Sequence, residues 1–229
     1  ILLVYILLVG LGVFGVSMFR NWRWLTLVGL PASYSLFGAY ADRIPDQDLI
    51  VAQIGLTSNF LVFVGATTLF HIVWRRDPKP TDMTLMTLNA AAYFGVTYGL
   101  LWEQYQGWFG LITLALTLFY GLVSYGAINR SEASPQVALY SLGTSLIFLT
   151  IAIPIQLTGS WITVAWVAQG AVLLWIGFMT QSWVTRTLGF VGLALSAFRL
   201  LIFDTTITFE DFQIIFNSRF LTFVVCIAI

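Results

Sequence analysis

The chain has 229 residues, of which 59% are hydrophobic and 9% are charged, with ten basic and ten acidic side chains. A soluble domain carries about a quarter charged residues, so this composition excludes a water-soluble globular protein, and the zero net charge argues against a nucleic-acid partner. Cys226 is the single cysteine, which excludes an internal disulfide.

The apolar residues lie in long blocks, and a helix needs about 20 such residues to cross roughly 30 Å of hydrocarbon. They do not alternate as the strands of a transmembrane barrel do. The sequence therefore predicts an all-α polytopic transmembrane bundle, with about eight full or near-full spans and a truncated C-terminal one, built from helical hairpins. It is expected to be one domain over 1–229 and a fragment of a longer protein, truncated at both ends. The predicted segments are 1–19, 24–41, 49–74, 83–102, 107–128, 136–157, 161–180, 184–203 and 219–229.

The basic residues of the connections predict an orientation, because Lys and Arg in short loops stay on the cytoplasmic side. Connections after odd-numbered segments hold seven basic residues, and the other side holds three. The odd connections, marked by Arg20, Arg75, Arg130 and Arg186, are therefore expected in the cytoplasm, with the N-terminus outside. The full sets are Arg20, Arg23, Arg75, Arg76, Lys79, Arg130 and Arg186 on one side, and Arg43, Arg199 and Arg219 on the other.

Polar residues within the early segments are candidates for contacts with other helices or with a ligand. The third segment contains Gln53, Asn59 and His71, and the fourth contains Asn89, which is expected to contact a neighbouring helix. His71 is the single histidine, so ligation of a haem by two histidines is excluded. A lone axial ligand for a haem or a pigment remains open beside an interfacial role for His71.

The loop before the third segment groups Asp42, Asp46 and Asp48. Such acids either remain solvated or supply the metal-binding or general-base groups of a membrane glycosyltransferase. We assign no catalytic residue, metal site or cofactor from the sequence.

The seventh and eighth segments carry the clearest patterns. Small residues recur on one face of each helix, and such residues let membrane helices approach closely. Gln169 lies beside this stripe, where it either bonds a neighbouring helix or lines a cavity. Arg199 ends the stripe of the eighth segment, where it either snorkels and pairs with Asp204 or forms an outer anion site with Asn217 and Arg219. The predicted packing residues are Thr163, Gly170, Gly177, Gly189, Gly192 and Ser196.

The stretches "GSWITVAWVAQGAVLLWIGF", "FRLLIFD" and "FNSRFLTFVV" resemble a bacterial family of predicted membrane proteins with a domain of unknown function. The resemblance implies a long, many-helix protein of the cytoplasmic (inner) membrane. Members of that family often carry a glutamate before the glycine where this chain has Gln169. That departure argues against a carboxylate-based proton relay at this position.

Three functions follow as hypotheses. The first is transport or envelope-assembly handling of a lipid-like or glycan-like anionic substrate, carried by Gln169, Arg199, Asp204, Asn217 and Arg219. The second is a non-catalytic helical subunit that packs against other membrane subunits within the bilayer. The third, a glycosyltransferase-like enzyme using the acidic loop, is the least favoured, so a non-enzymatic role is expected.

Overall fold

The computed structural model describes residues 2–20, 23–41, 43–69, 80–129, 135–203 and 223–224. These residues are helical or lie in turns, and none of them forms a β-strand, so the all-α prediction is confirmed. A short 3-10 turn, Asp46–Asp48, precedes the third helix, and a π-helical turn, Gly65–Leu69, follows it. The other elements are α1 (Leu2–Arg20), α2 (Arg23–Ala41), α3 (Leu49–Val64), the stretch Pro80–Asn129, α6 (Pro135–Gln156), α7 (Trp161–Met179) and α8 (Trp183–Ile202).

The stretch Pro80–Asn129 is two helices rather than one. Tyr105 leaves the helical conformation, with φ −123° and ψ 27°. The rings of Phe94 and Phe109 then lie 5.6 Å apart, whereas 15 residues of straight helix would separate them by about 22 Å. The chain therefore reverses at Tyr105 and forms a hairpin of α4 (80–104) and α5 (106–129).

Several helices are long and apolar enough to cross a membrane, as predicted. Within the described residues they number five, with the α4–α5 hairpin counted as one stretch, and Tyr5–Val16 forms a shorter apolar helix. The five stretches are Asp46–Thr67, Thr81–Asn129, Gln136–Gln156, Trp161–Met179 and Trp183–Ile202. The count of eight spans stays a prediction, and most of the ninth segment lies outside the described residues.

Two compact units divide the chain, residues 1–148 and 149–229, and the single-domain prediction remains a prediction. In the first unit, α1 packs on α2 and α3, and both of these pack on the α4–α5 hairpin. Serine hydroxyls join α5 to the first half of α6: Ser124 Oγ donates to the Ala138 carbonyl at 2.8 Å, and Ser145 Oγ donates to the Thr117 carbonyl at 2.7 Å. These bonds let polar side chains serve as helix contacts inside an apolar bundle.

The second unit is built on the α7–α8 hairpin. Its turn is a Schellman arrangement, in which the Ser182 amide donates to the Gly177 carbonyl at 3.1 Å and Gln181 adopts φ 55°. Ser182 then caps α8, because its hydroxyl accepts the Thr185 amide at 3.3 Å. This turn brings the two glycine-bearing faces together.

Candidate functional site

Gln169, for which the sequence analysis left open a helix contact or a place in a cavity, makes a hydrogen bond to a neighbouring helix. Its Nε2 donates to Thr150 Oγ1 on α6 at 2.9 Å. One turn earlier on α7, Trp166 Nε1 donates to the Thr150 carbonyl at 3.1 Å. The two α7 side chains therefore hold both polar groups of Thr150, which accounts for an amide in this apolar helix.

We expect Gln169→Leu to lower the stability of the second unit by about 1 kcal/mol, since interhelical hydrogen bonds in membranes contribute about that much. Thermal unfolding in detergent, followed by circular dichroism, measures the change. Val172→Leu, at a 52% exposed position of the same helix, is the control and should leave the unfolding temperature unchanged. Equal unfolding curves for Gln169→Leu and the wild type would contradict this role.

Arg199, the centre of the predicted anion site, also has protein contacts. Its Nη2 donates to the carbonyl of Gly159 at 3.2 Å, and its guanidinium lies 5.6 Å from the ring centre of Phe203. Gly159, in the turn between α6 and α7, has φ +58°, a conformation that glycine adopts without strain. The other members of the predicted site, Asp204, Asn217 and Arg219, lie outside the described residues.

The predicted small-residue faces of α7 and α8 meet backbone to backbone. A Cβ added to Gly189 would lie 2.9 Å from the Leu174 amide nitrogen, and one added to Gly177 would lie 2.8 Å from the Arg186 amide nitrogen. Gly192 lies against Gly170, with 3.3 Å from its ideal Cβ to the Gly170 Cα. This face is occupied by helix contact over at least these three levels, and Thr163 and Ser196 are buried.

A polar cluster that the sequence did not assemble lies in the first unit, between α3 and α4. We call Gln53, Thr57, Tyr93 and Thr97 the amide cluster. Gln53 Nε2 donates to Tyr93 Oη at 3.0 Å and to Thr97 Oγ1 at 3.2 Å. Thr57 Oγ1 donates to the backbone carbonyl of Gln53 at 2.8 Å and lies 2.9 Å from Tyr93 Oη. Four polar side chains are thereby connected within an apolar bundle.

Counting hydrogens fixes the orientation of the Gln53 amide. The hydroxyl hydrogen of Thr57 is donated to the backbone carbonyl of Gln53, so the 2.9 Å contact with Tyr93 requires Tyr93 to donate to Thr57. The Tyr93 oxygen then accepts a hydrogen bond from Gln53 Nε2. With the amide reversed, Tyr93 would have to donate to Gln53, and the single Thr57 hydrogen would have to serve two acceptors. The nitrogen of Gln53 therefore faces Tyr93 and Thr97, and its oxygen faces away from them.

The Gln53 oxygen is buried and makes no hydrogen bond within the described part of the chain. An acceptor left without a donor in apolar surroundings costs about 1–3 kcal/mol. Asn59 Oδ1 and Tyr120 Oη are also buried without a hydrogen-bond partner in the described part of the first unit. They do not line the two cavities described next, whereas Gln53 lines both, so Gln53 is the strongest of these candidates for contact with a ligand.

Two cavities lie along the same surface and share Gln53, Thr57 and Ile112, so together they form what we call the α3–α5 groove. The cavity nearer the α4–α5 turn has a volume of 340 Å³ and includes Tyr105 and Trp108. The cavity farther from that turn, which we call the deeper cavity, has a volume of 390 Å³ and includes Tyr93 and Phe119. Both volumes fall in the range of small-molecule sites. The groove follows α5 from Trp108 to Phe119, a length of about 16 Å or half the hydrocarbon thickness.

The groove walls are apolar and open to the surroundings of the bundle. Ile54 and Trp108 are 61% and 66% exposed on opposite walls. The residues that line the two cavities include no charged side chain within the described part of the chain. The groove thus combines lipid-compatible walls with a few neutral polar side chains, among them Gln53, Thr57 and Tyr93.

Other predicted candidates are not assembled into a site by the described residues. Asp46 and Asp48 are exposed in the 3-10 turn before α3, and Asp42 lies outside the described part. No group of three His, Cys, Asp or Glu side chains in the described part could hold a metal ion. His71, the candidate axial ligand, lies outside the described residues, so its role stays open.

Apolar membrane-length helices, helix contacts through glycines and an apolar groove define the chain as a multi-pass integral membrane protein. It belongs to the family described as "Predicted membrane protein (DUF2339)", whose model matches residues 1–228. The resemblance inferred from the sequence is confirmed by this match. No curated protein and no solved structure matches the chain.

Proposed function

We propose that this membrane protein handles a lipid-like substrate, in transport or in assembly of the cell envelope, and that the substrate binds in the α3–α5 groove. The observation that carries the proposal is that Gln53, Thr57 and Tyr93 of the hydrogen-bonded amide cluster line a groove whose other walls are apolar and exposed. Hydrophobic walls bind an acyl or isoprenoid chain, while a few placed polar groups orient the rest of the molecule.

The groove favours a neutral rather than an anionic contact. The polar side chains Gln53, Thr57 and Tyr93 in its lining are neutral, and the lining residues in the described part supply no cation. An anionic headgroup would need a cationic partner outside the groove. Arg199, the cation of the anion site predicted from the sequence, belongs to the second unit, and its guanidinium already donates to the Gly159 carbonyl.

Photochemical labelling tests the proposal. Purified full chain is reconstituted in phosphatidylcholine nanodiscs with a dioleoylglycerol analogue that carries a diazirine on one acyl chain. We expect labelled peptides from α3 and α5, and we expect Ala115→Trp to reduce their labelling about tenfold, because Ala115 lines the deeper cavity and an indole there would fill it.

The matched control is Ala91→Trp. Ala91 is exposed on α4 and does not line either cavity, so the same added volume should leave labelling of α3 and α5 unchanged. Equal labelling in both variants and the wild type, or labelling spread evenly over all exposed helices, would contradict a substrate groove.

A role as a helical subunit is the second candidate, favoured by the α7–α8 hairpin. The face between these helices is filled by their own glycine contacts, while Trp161, Trp175 and Trp183 are more than 60% exposed. Those tryptophans would contact either lipid or another membrane subunit. Detection of a stable hetero-complex whose assembly is lost in Trp175→Ala, with no lipid labelling of the groove, would favour this candidate.

A further inference from the structure

We infer that the α3–α5 groove selects a neutral lipid bearing a free hydroxyl or amide N–H, and that the Gln53 side-chain oxygen accepts the hydrogen bond from that group. The inference rests on the proposed function and names the chemical feature by which the groove would distinguish one lipid from another.

The first step is that one half of the Gln53 amide is already used. Its nitrogen donates to Tyr93 and Thr97, and those bonds hold the carboxamide in one orientation. A ligand that competed for the nitrogen would have to break two existing hydrogen bonds. The oxygen has no such partner within the described residues, so a ligand gains most by donating to it.

The second step concerns the kind of donor. A charged ammonium or guanidinium in this apolar groove would lose its hydration without meeting an opposite charge, a cost far above that of a hydroxyl. A hydroxyl or an amide N–H supplies one donor at little desolvation cost. It also relieves an acceptor that is otherwise buried unpaired.

The third step is depth. Gln53 lies four residues into α3, so its Cα is about 6 Å from the helix start, where Asp46 and Asp48 mark the exposed end. A neutral lipid with a small hydroxyl group can reach this level, whereas a large hydrated headgroup is retained at the water interface. The apolar remainder would lie along the deeper cavity toward Phe119.

Access to the oxygen requires a small local movement. The Gln53 oxygen is itself covered, so the inference requires a neighbouring side chain to move aside when the ligand binds. Ile50 and Ile54, one helical turn apart on α3, line the cavity beside it and are each 61% exposed, which leaves them room to change rotamer.

The experiment compares two probes on the wild-type chain in phosphatidylcholine nanodiscs. The first is the diazirine-labelled dioleoylglycerol, which has a free hydroxyl, and the second is the same molecule with that hydroxyl methylated. We expect labelling of α3 and α5 by the free alcohol to exceed that by the methyl ether about fivefold to tenfold. Because the ligand is altered and the protein is not, misfolding cannot produce this result.

Two variants assign the selectivity. Gln53→Leu should reduce the preference for the alcohol to about onefold, while Ser58→Ala should retain it. Ser58 lines the same cavity, but its hydroxyl already donates to the Ile54 carbonyl at 2.8 Å. Retention of the full preference in Gln53→Leu would overturn the assignment to this side chain.

The remaining outcomes separate this inference from the proposed function. Equal labelling by both probes that is still lost in Ala115→Trp would overturn hydroxyl recognition and leave the lipid groove intact. Labelling of α3 and α5 by neither probe would overturn the groove and the inference together.

Discussion

The substitution Gly189→Ala in α8 is expected to lower the stability of the second unit by about 1–3 kcal/mol, the usual cost of adding a methyl group to a fully packed interface. The new Cβ would lie 2.8 Å from Leu174 Cγ, 2.9 Å from the Leu174 amide nitrogen and 3.0 Å from the Gly170 carbonyl oxygen. Two of these three atoms belong to the backbone of α7, so a side-chain rotation does not relieve the contact. Thermal unfolding of the purified chain in detergent measures the loss.

Gly143→Ala is the matched control for this prediction. Gly143 also lies within a helix, but a Cβ at this position meets no atom within 4 Å. Alanine is up to about 1 kcal/mol more favourable than glycine inside a helix, so this variant should be as stable as the wild type or slightly more stable. If both variants unfold at the same temperature, the prediction that α7 and α8 are closely packed at Gly189 is wrong.

Helix limits in the second half of the chain could be predicted from the sequence to within one or two residues. The predicted segments 161–180 and 184–203 correspond to Trp161–Met179 and Trp183–Ile202. The reason is physical: the thickness of the hydrocarbon fixes the length of a span, and turn residues with interfacial tryptophans mark its ends. The same reasoning predicted the break between the fourth and fifth segments, which falls at Tyr105.

The amide cluster could not be predicted in the same way. Gln53 was recognisable as a polar residue in an apolar segment, but its partners Tyr93 and Thr97 are 40 and 44 residues away. Pairing them requires the rotation of α3 and α4 about their axes. In a soluble protein, apolar periodicity gives that rotation, but lipid is as apolar as a protein core, so a membrane helix carries only a weak periodic signal.

Small residues were the exception to this limit. Gly170 and Gly177 mark a face of α7, and Gly189 marks a face of α8, by the size of the side chain rather than by its polarity. These two faces are where α7 and α8 come into contact. Size therefore carries information that hydropathy loses in a membrane. The cytoplasmic side of the bundle depends on charges such as Arg75 and Arg130, which lie outside the described residues, and it stays a prediction.

Asn89 offers the strongest test of polar contacts in the first unit. Its Oδ1 accepts the hydroxyl of Tyr34 from α2 at 2.8 Å, and its Nδ2 donates to the Phe60 carbonyl of α3 at 3.2 Å. Asn89 has no exposed surface and Tyr34 is 5% exposed, so water does not replace either bond. One side chain of α4 thus joins three helices.

We expect Asn89→Leu to destabilise the first unit by about 1–3 kcal/mol, because the Tyr34 hydroxyl is then buried without an acceptor. Tyr34→Phe leaves Asn89 Oδ1 without that donor but keeps the Asn89 bond to Phe60, so it removes one hydrogen bond rather than two and should cost less. In the double variant the unpaired hydroxyl is absent, so its loss should be smaller than the sum of the two single losses, by about 1 kcal/mol. Thermal unfolding of the four proteins measures this coupling. Strict additivity would mean that the Tyr34–Asn89 bond contributes nothing to stability, and the link from α4 to α2 would then depend on apolar packing.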